Sequence, residues 1–419
     1  MIRRCSISFY EQRLLNNLRK MKLNIRKMED KIMSNVTISD SILYVGANDH
    51  EIDLFESQYI VPNGVSYNSY VIMDEQITVM DTVDRRATDE WFENVENVLE
   101  GKTPEYLVIS HLEPDHASNI ANFVAKYPTV KLIGNAKTFA MLPQFFELDI
   151  PKEQKVVVKE GDKVSLGEHT LVFLMAPMVH WPEVMVTYEE KEKVLFSADA
   201  FGKFGALDVE EDWSCEARRY YFNIVGKYGS LVQTLLKKVA TLDIQTICPL
   251  HGPILKENLG YYIGLYDTWS KYEPESEGIF IAYASIHGNT EKAAKEFAKM
   301  LEEAGAPKVS IADLARADMA ECVEDAFRYD RLVLAAPTYD GGLFPCMDDF
   351  LHHLATKSYQ KRTVGLIENG SWGPLAGKKM REALAAMKEI TVIEHVVTIK
   401  STMKDSDKAS MKELVNALV

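Results

Sequence analysis

The chain reads as an α/β protein of two successive units: a sandwich of two β-sheets flanked by helices, then a doubly wound parallel sheet. Three observations predict this. Between residues 36 and 272, short β-branched runs end in polar loops and are interrupted by stretches of helical periodicity. An acidic, proline-bearing stretch, Lys271-Tyr-Glu-Pro-Glu-Ser-Glu-Gly278, then breaks the pattern. Over residues 278–419, strand runs lead through glycine-rich or hydroxyl-rich loops into helices, the order that builds a parallel sheet.

Composition bounds the function. At 419 residues the chain is long enough for two or three domains with cores of their own. A net charge of −15 disfavours binding to nucleic acid or to an anionic membrane, so neither is expected as a partner. The five cysteines, Cys5, Cys215, Cys248, Cys322 and Cys346, are scattered and include no CxxC pair, which argues against a disulfide framework and for a reducing, cytoplasmic setting. No apolar run is long enough to span a bilayer. Residues 1–35 form a basic extension, with nine Lys or Arg between Met1 and Lys31 and apolar residues on one helix face. They fit a short solvated helix, a targeting or membrane-surface segment, or a start assigned too early, because Met33 directly precedes the globular pattern.

The first unit begins with strand runs at Ile42–Val45, Ser69–Met73 and Ile77–Asp81, followed by helical spacing over 83–100. Next, Leu107–Ile109 runs into Ser-His-Leu-Glu-Pro-Asp-His116, four metal-ligand types in six positions. Such density has no packing purpose. An extended backbone aims His111, Glu113 and Asp115 the same way, and a turn there brings in His116. Further ligand types follow later apolar runs: His180 after Thr170–Met175, Asp199 after Val194–Ser197, and His251 after Ile244–Cys248. Helical spacing over 217–239 and 258–269 supplies outer helices. Tyr67, Trp181, Phe201 and Phe204 are placed to wall the pocket or to join the core.

This set resembles the metallo-β-lactamase-like αββα fold, and more closely its iron-binding branch, the flavodiiron proteins. Zinc hydrolases of that fold normally carry His where this chain has Glu113. The exchange puts a hard anionic oxygen in place of a borderline nitrogen and favours iron or manganese over zinc. The resemblance implies one iron held by His111, Glu113, His180 and Asp199 and a second by Asp115, His116, Asp199 and His251. Asp199 is then the bridge, since a carboxylate has two oxygens to share. Family members differ in whether the imidazole at the His116 position ligates.

In the second unit, Ile279–Ala284 leads into Ser285-Ile286-His287-Gly288-Asn289-Thr290 and then helical spacing over 291–304. A loop of backbone N–H groups at a helix N-terminus cradles a phosphate. Neither GxxxxGK[ST] nor GxGxxG is present, which disfavours nucleoside triphosphates and dinucleotides. The loop resembles the FMN-phosphate loop of flavodoxins. Two more loops after strand runs match the flavin loops of that fold in order. Pro337, Thr338, Tyr339 and Gly341 would line one side of the isoalloxazine, and Asn369, Gly370, Ser371 and Trp372 the other.

The flavodiiron resemblance covers the chain from about Val36 onward and implies FMN, two non-haem irons, and reduction of O2 to water, of NO to N2O, or both. It also implies a head-to-tail homodimer or dimer of dimers fed by a rubredoxin-like or other small electron-donor protein. Two alternatives keep the same residues: a zinc hydrolase with an accessory flavodoxin domain, and a non-catalytic O2 or NO sensor. Removal of residues 1–32 is expected to leave folding and metal content unchanged, as checked by circular dichroism and metal analysis of the shortened chain.

Overall fold

The computed structural model describes residue 36 and residues 38–419; the basic extension expected over residues 1–35 lies outside them. The first sheet runs in the order Ile42–Tyr44, Tyr70–Ile72, Thr78–Met80, Tyr106–Val108, Lys131–Asn135, Lys155–Val158. Its first three strands are antiparallel and the rest parallel. The second sheet runs Lys163–Ser165, Thr170–Met175, Met185–Glu189, Val194–Phe196, Thr246–Cys248, with only its last pair parallel. Between the sheets lie Ile42, Tyr70, Ile72, Met80, Val108, Ile133, Phe173, Met185, Phe196 and Cys248, all buried. Burial on both faces explains why these strands are apolar runs with little alternation.

The third sheet is parallel throughout its main path: Val309–Asp313, Ser276–Tyr283, Tyr329–Tyr339, Arg362–Asn369, Ile390–Ile399. Side chains alternate across it. Ile279, Ile281, Val333 and Ile367 meet the helices Asn289–Glu303 and Asp405–Leu418. Phe280, Ala282, Leu334 and Leu366 meet Met319–Arg328, Pro345–Thr356 and Ala376–Ala385. That second cluster does not stop at the sheet: it continues through Phe327 and Phe222, whose rings stack at 4.2 Å, into the helix side of the first unit.

Four details depart from the sequence expectation. The linker is shorter, because the strand begins at Ser276 and Glu275 is already tied down by Arg218. The helix expected over 217–239 is broken into α-turns Trp213–Tyr220, a π-turn Tyr221–Val225, a 3-10 turn Gly226–Tyr228 and a second α-helix Gly229–Val239. The extra residue in the π-turn marks a local purpose, here the seam between the units. The strand Tyr329–Tyr339 runs on through residues expected in the second flavin loop and pairs with Gly342–Leu343, so Pro337, Thr338 and Tyr339 are strand-end residues and not loop. A final helix, Asp405–Leu418, closes the sheet face and was not expected.

The seam is polar at its centre. Arg218 is 1% exposed and bonds Glu275 through Nε at 2.5 Å and Nη2 at 2.8 Å, and Glu324 through Nη1. Asn223 Nδ2 donates to Ala320 O at 3.2 Å. A guanidinium so enclosed depends on its partners, and breaking a buried pair from one side costs far more than the pair contributes. Arg218→Ala is therefore expected to destabilise the chain by about 3–5 kcal/mol, measured as a shift of the denaturant midpoint, whereas Lys299→Ala on the exposed helix face is expected to shift it by less than about 1 kcal/mol.

Candidate metal centre

The ligand-type residues sit where strands of both sheets end. His111 follows Tyr106–Val108, and a helical turn, Pro114–Ala117, carries Asp115 and His116. Proline at the first helical position starts that turn. The turn divides the motif: His111 and Glu113 fall in one cluster with His180 and Asp199, while Asp115 and His116 fall in another with His251. The alternation inferred from an extended backbone thus holds for His111 and Glu113 only. In each cluster one ligand atom per residue lies within 4.8 Å of all the others.

Asp199 lies between the clusters. Its Oδ2 is 3.2 Å from Nε2 of both His111 and His180, and its Oδ1 is 3.8 Å from His251 Nε2. Glu113 Oε2 stands 2.9 Å from His180 Nε2 and 3.2 Å from His111 Nε2. In the second cluster, His251 Nε2 is 3.1 Å from Asp115 Oδ2 and 3.0 Å from His116 Nε2.

Two partners set the tautomers. His111 Nδ1 is 3.0 Å from Glu183 Oε1, and His251 Nδ1 is 2.8 Å from Ser66 O. A carboxylate and a carbonyl only accept, so each Nδ1 carries the hydrogen and each Nε2 presents a lone pair to the cluster. Both oxygens of Asp115 and of Asp199, His180 Nε2 and His116 Nδ1 are buried without a hydrogen-bond partner. So many unpaired acceptors facing one another are untenable unless cations lie among them. The donor set fits two metal ions. It mixes imidazole nitrogen with carboxylate oxygen, as iron accepts, and contains no thiolate.

The electrostatics agree. Burial pushes the His111 imidazolium down, but Asp199, Glu113 and Glu183 together hold its pKa well above the usual histidine value. His180 behaves likewise, rising to about 9 against its burial through Asp199 and Glu113. Carboxylates that attract a proton this strongly attract a metal cation in the same place. His116 goes the other way: burial outweighs the attraction of Asp115 and lowers it to about 4, so its imidazole is neutral and ready to ligate.

A cavity of about 210 Å³ reaches the centre from outside, lined by Phe55, Glu56, Tyr67, Arg86, Glu113 and Asp115 among others. Burial and the neighbouring Glu113 carboxylate raise Glu56 to about 7. Of the four aromatics marked in sequence, Tyr67 lines this cavity and Trp181 sets its ring 5.2 Å from His111. Phe204 stands one layer back, 5.5 Å from Phe55, and Phe201 packs on Tyr266 at 4.3 Å in the core. Glu183, Ser66, Glu56 and Arg86 escaped the sequence reading. Isolated acids, a lone serine and an arginine beside acids look like ordinary surface residues, and Ser66 acts through its backbone.

In the second unit, Ser285–Thr290, Pro337–Gly341 and Asn369–Trp372 all lie at the C-terminal edge of the parallel sheet, on adjacent strands. The helix Asn289–Glu303 starts within the first loop, where Gly288 adopts φ +82° and its N–H donates to Ser285 Oγ at 3.1 Å. Thr338 Oγ1 accepts from Leu375 N at 2.8 Å and Ala376 N at 3.1 Å, tying the second loop to the third. Trp372 is 96% exposed, Ile286 42% and Tyr339 43%. Thr290, by contrast, is buried beneath the loop, so its side chain serves the fold. Backbone amides at a 15-residue helix start, with exposed apolar rings beside them, fit a flavin mononucleotide.

Comparison with known proteins agrees with both units. A family model described as ODP family β-lactamase matches residues 65–252, and a flavodoxin-domain model matches residues 280–394. A nitric oxide reductase of Moorella thermoacetica is 29% identical, over 90% of this chain and 96% of that protein. An anaerobic nitric oxide reductase flavorubredoxin of Escherichia coli is 27% identical over 81% of this chain and 72% of its own length. The structure of rubredoxin oxygen:oxidoreductase from Desulfovibrio gigas superposes with a TM-score of 0.84 at 26% identity, covering 91% of this chain and 98% of that one.

Removing the partner of a ligating imidazole typically weakens metal binding by about 10–100-fold. Glu183→Ala is expected to do so here while leaving the fold intact, as measured by competition titration with a metal-chelating dye.

Proposed function

From the membership of this chain in the flavodiiron family, which joins a β-lactamase-like unit to a flavodoxin unit, we propose that it reduces O2 to water, NO to N2O, or both, at a di-iron centre fed by FMN. The observation that carries this reading is the pair of ligand clusters with Asp199 between them. We assign one iron to His111, Glu113, His180 and Asp199, and the other to Asp115, His116, Asp199 and His251. When bound, FMN would supply electrons singly, and the two irons held by these residues would supply the redox centre for the gas.

The chain's own residues prepare that chemistry. Glu183 and the Ser66 carbonyl fix which nitrogen each imidazole presents. Phe55 and Tyr67 put aromatic rings into a cavity wall otherwise made largely of Glu56, Asp84, Arg86, Glu113 and Asp115, and Trp181 sets a third ring against His111. Glu56, on the exposed hairpin turn, stands at the cavity wall beside Glu113. Glu113 in place of histidine supports iron over zinc, which weighs against the hydrolase alternative; steady consumption of gas would exclude the sensor.

The flavin-loop surface is apolar at Ile286, Tyr339, Trp372 and Leu375, and the outer side of the metal cavity is apolar at Leu54 and Ile60. These two patches support a head-to-tail homodimer, or a dimer of dimers, that sets the flavin of one copy beside the metals of the other. Electrons would come from a rubredoxin-like or other small donor protein, in the cytoplasm. Among the described residues, no helix is long and apolar enough to cross a membrane.

The deciding experiment is anaerobic: reduce the purified protein, determine iron and flavin, and follow O2 and NO uptake separately with electrodes. Two irons and one FMN per chain with rapid uptake of one or both gases are expected. Asp199→Ala is expected to lose iron and to cut uptake by at least about a hundredfold, with FMN retained. Trp372→Ala is expected to shift the flavin spectrum with iron retained. Zinc in place of iron, or no uptake of either gas, would overturn the proposal.

A further inference from the structure

The outer wall of the metal cavity is a hairpin, Leu54–Phe55 paired with Tyr59–Ile60, whose turn holds Glu56 and Ser57 at φ +49° and +59°. Leu54, Phe55, Glu56 and Ser57 all line the cavity. Two residues per strand in a two-stranded sheet cannot hold a hairpin in place unaided. Its anchors come from the seam between the units. Tyr59 OH donates to Asn223 O at 3.1 Å, and Lys357, at the end of helix Pro345–Thr356 in the flavodoxin unit, donates Nζ to the same carbonyl at 2.7 Å and lies 3.4 Å from Tyr59 OH. Arg219 Nη2 donates to Ile60 O and, at 2.7 Å, to Asp318 Oδ2 of the flavodoxin unit. The Arg219 guanidinium also lies 4.8 Å over the Phe204 ring, which backs Phe55; Phe55 in turn sets its edge 5.4 Å from His251.

We infer that Lys357 and Arg219 are positioning residues through which the flavodoxin unit clamps the Leu54–Ile60 hairpin over the metal cavity of its own chain. The flavodoxin unit then has a second task besides carrying FMN: it sets how tightly the metals are enclosed. Two features beyond the contacts support this. Lys357 is an amine with no carboxylate within ion-pair distance in the described structure, and burial lowers it to about 8 with only Glu56, on the hairpin turn, opposing. A lysine placed there for solubility would point outward. Asn223 O, the shared acceptor, belongs to the π-turn Tyr221–Val225, where the first unit's long helix departs from α geometry beside the seam.

The inference rests on the proposed use of the cavity, so its test includes an arm that needs no gas chemistry. Metal-loaded, FMN-loaded full-length protein is mixed with excess dipicolinate and the loss of metal followed with time. Lys357→Met removes the cation with its stem kept. Loss of one hydrogen bond from a charged donor should accelerate metal release on the order of tenfold, with starting metal and FMN content unchanged. Lys357→Arg, which keeps a charged donor, should restore the slow rate, and Tyr59→Phe, which removes the hydroxyl without touching the flavodoxin unit, should reproduce part of the acceleration. In gas uptake, the same Lys357→Met should raise KM several-fold with kcat within about twofold, because an opened wall affects entry and not the reacting groups. Wild-type release rates in Lys357→Met and Tyr59→Phe would overturn the clamp. A wild-type protein that holds metal but consumes neither gas would overturn the proposed reaction, while the release arm would still decide the clamp.

Discussion

One carboxylate organises the first unit. Asp199 is 1% exposed, ends a strand of the second sheet, and turns its two oxygens toward histidines that arrive from different loops. A buried carboxylate with no hydrogen-bond donor has to be compensated, and two of the imidazoles around it, His111 and His251, are oriented so as to offer a lone pair in place of a hydrogen. The two sheets, their short connections and the helical turn at Pro114 make sense as the means of holding these buried polar groups within a few ångströms. The fold supplies the rigidity, and the charge it leaves uncompensated is what a bound cation would offset.

The second unit solves a different problem. A flavin has to be gripped at its phosphate and still present its ring. The parallel sheet places three loops on neighbouring strand ends, and the hydroxyl of Thr338 stitches two of them together. Trp372 is left almost fully exposed.

Much of this was legible in the sequence because the ligand types fall directly after apolar runs, and strand ends are where an α/β fold gathers side chains. The seven residues from His111 to His251 could therefore be grouped before any geometry was known. What could not be read was the split of the motif: nothing in HxExDH says that a proline-started turn sends Asp115 away from Glu113. Glu183 was invisible because one glutamate near a histidine is commonplace, and only the 3.0 Å contact gives it a task. The break in the helix at Tyr221–Val225 was hidden for the opposite reason: its apolar spacing is good helix spacing, and the departure is met by contacts from Ala320, Phe327 and Lys357, 97 to 134 positions further along the chain. The three flavin loops were found in order, but the strand continuing through Pro337 to Tyr339 was not, since proline argues against a strand interior and is tolerated here only at its end.

The stacked rings of Phe222 and Phe327 bear on how such chains can be recombined. They belong to one apolar cluster that runs from beneath the first sheet to one face of the third, so neither unit presents a finished surface at the join. Cutting near residue 275 would uncover Phe222 and Trp269 on one fragment and Phe327 on the other, with Arg218 stripped of Glu275 or Glu324. The two units are thus poor cassettes: exchanging one for a homologous unit demands that the grafted face be matched ring for ring and charge for charge. A lineage built this way should diversify by adding modules at its ends, leaving its central joint inherited as a single piece.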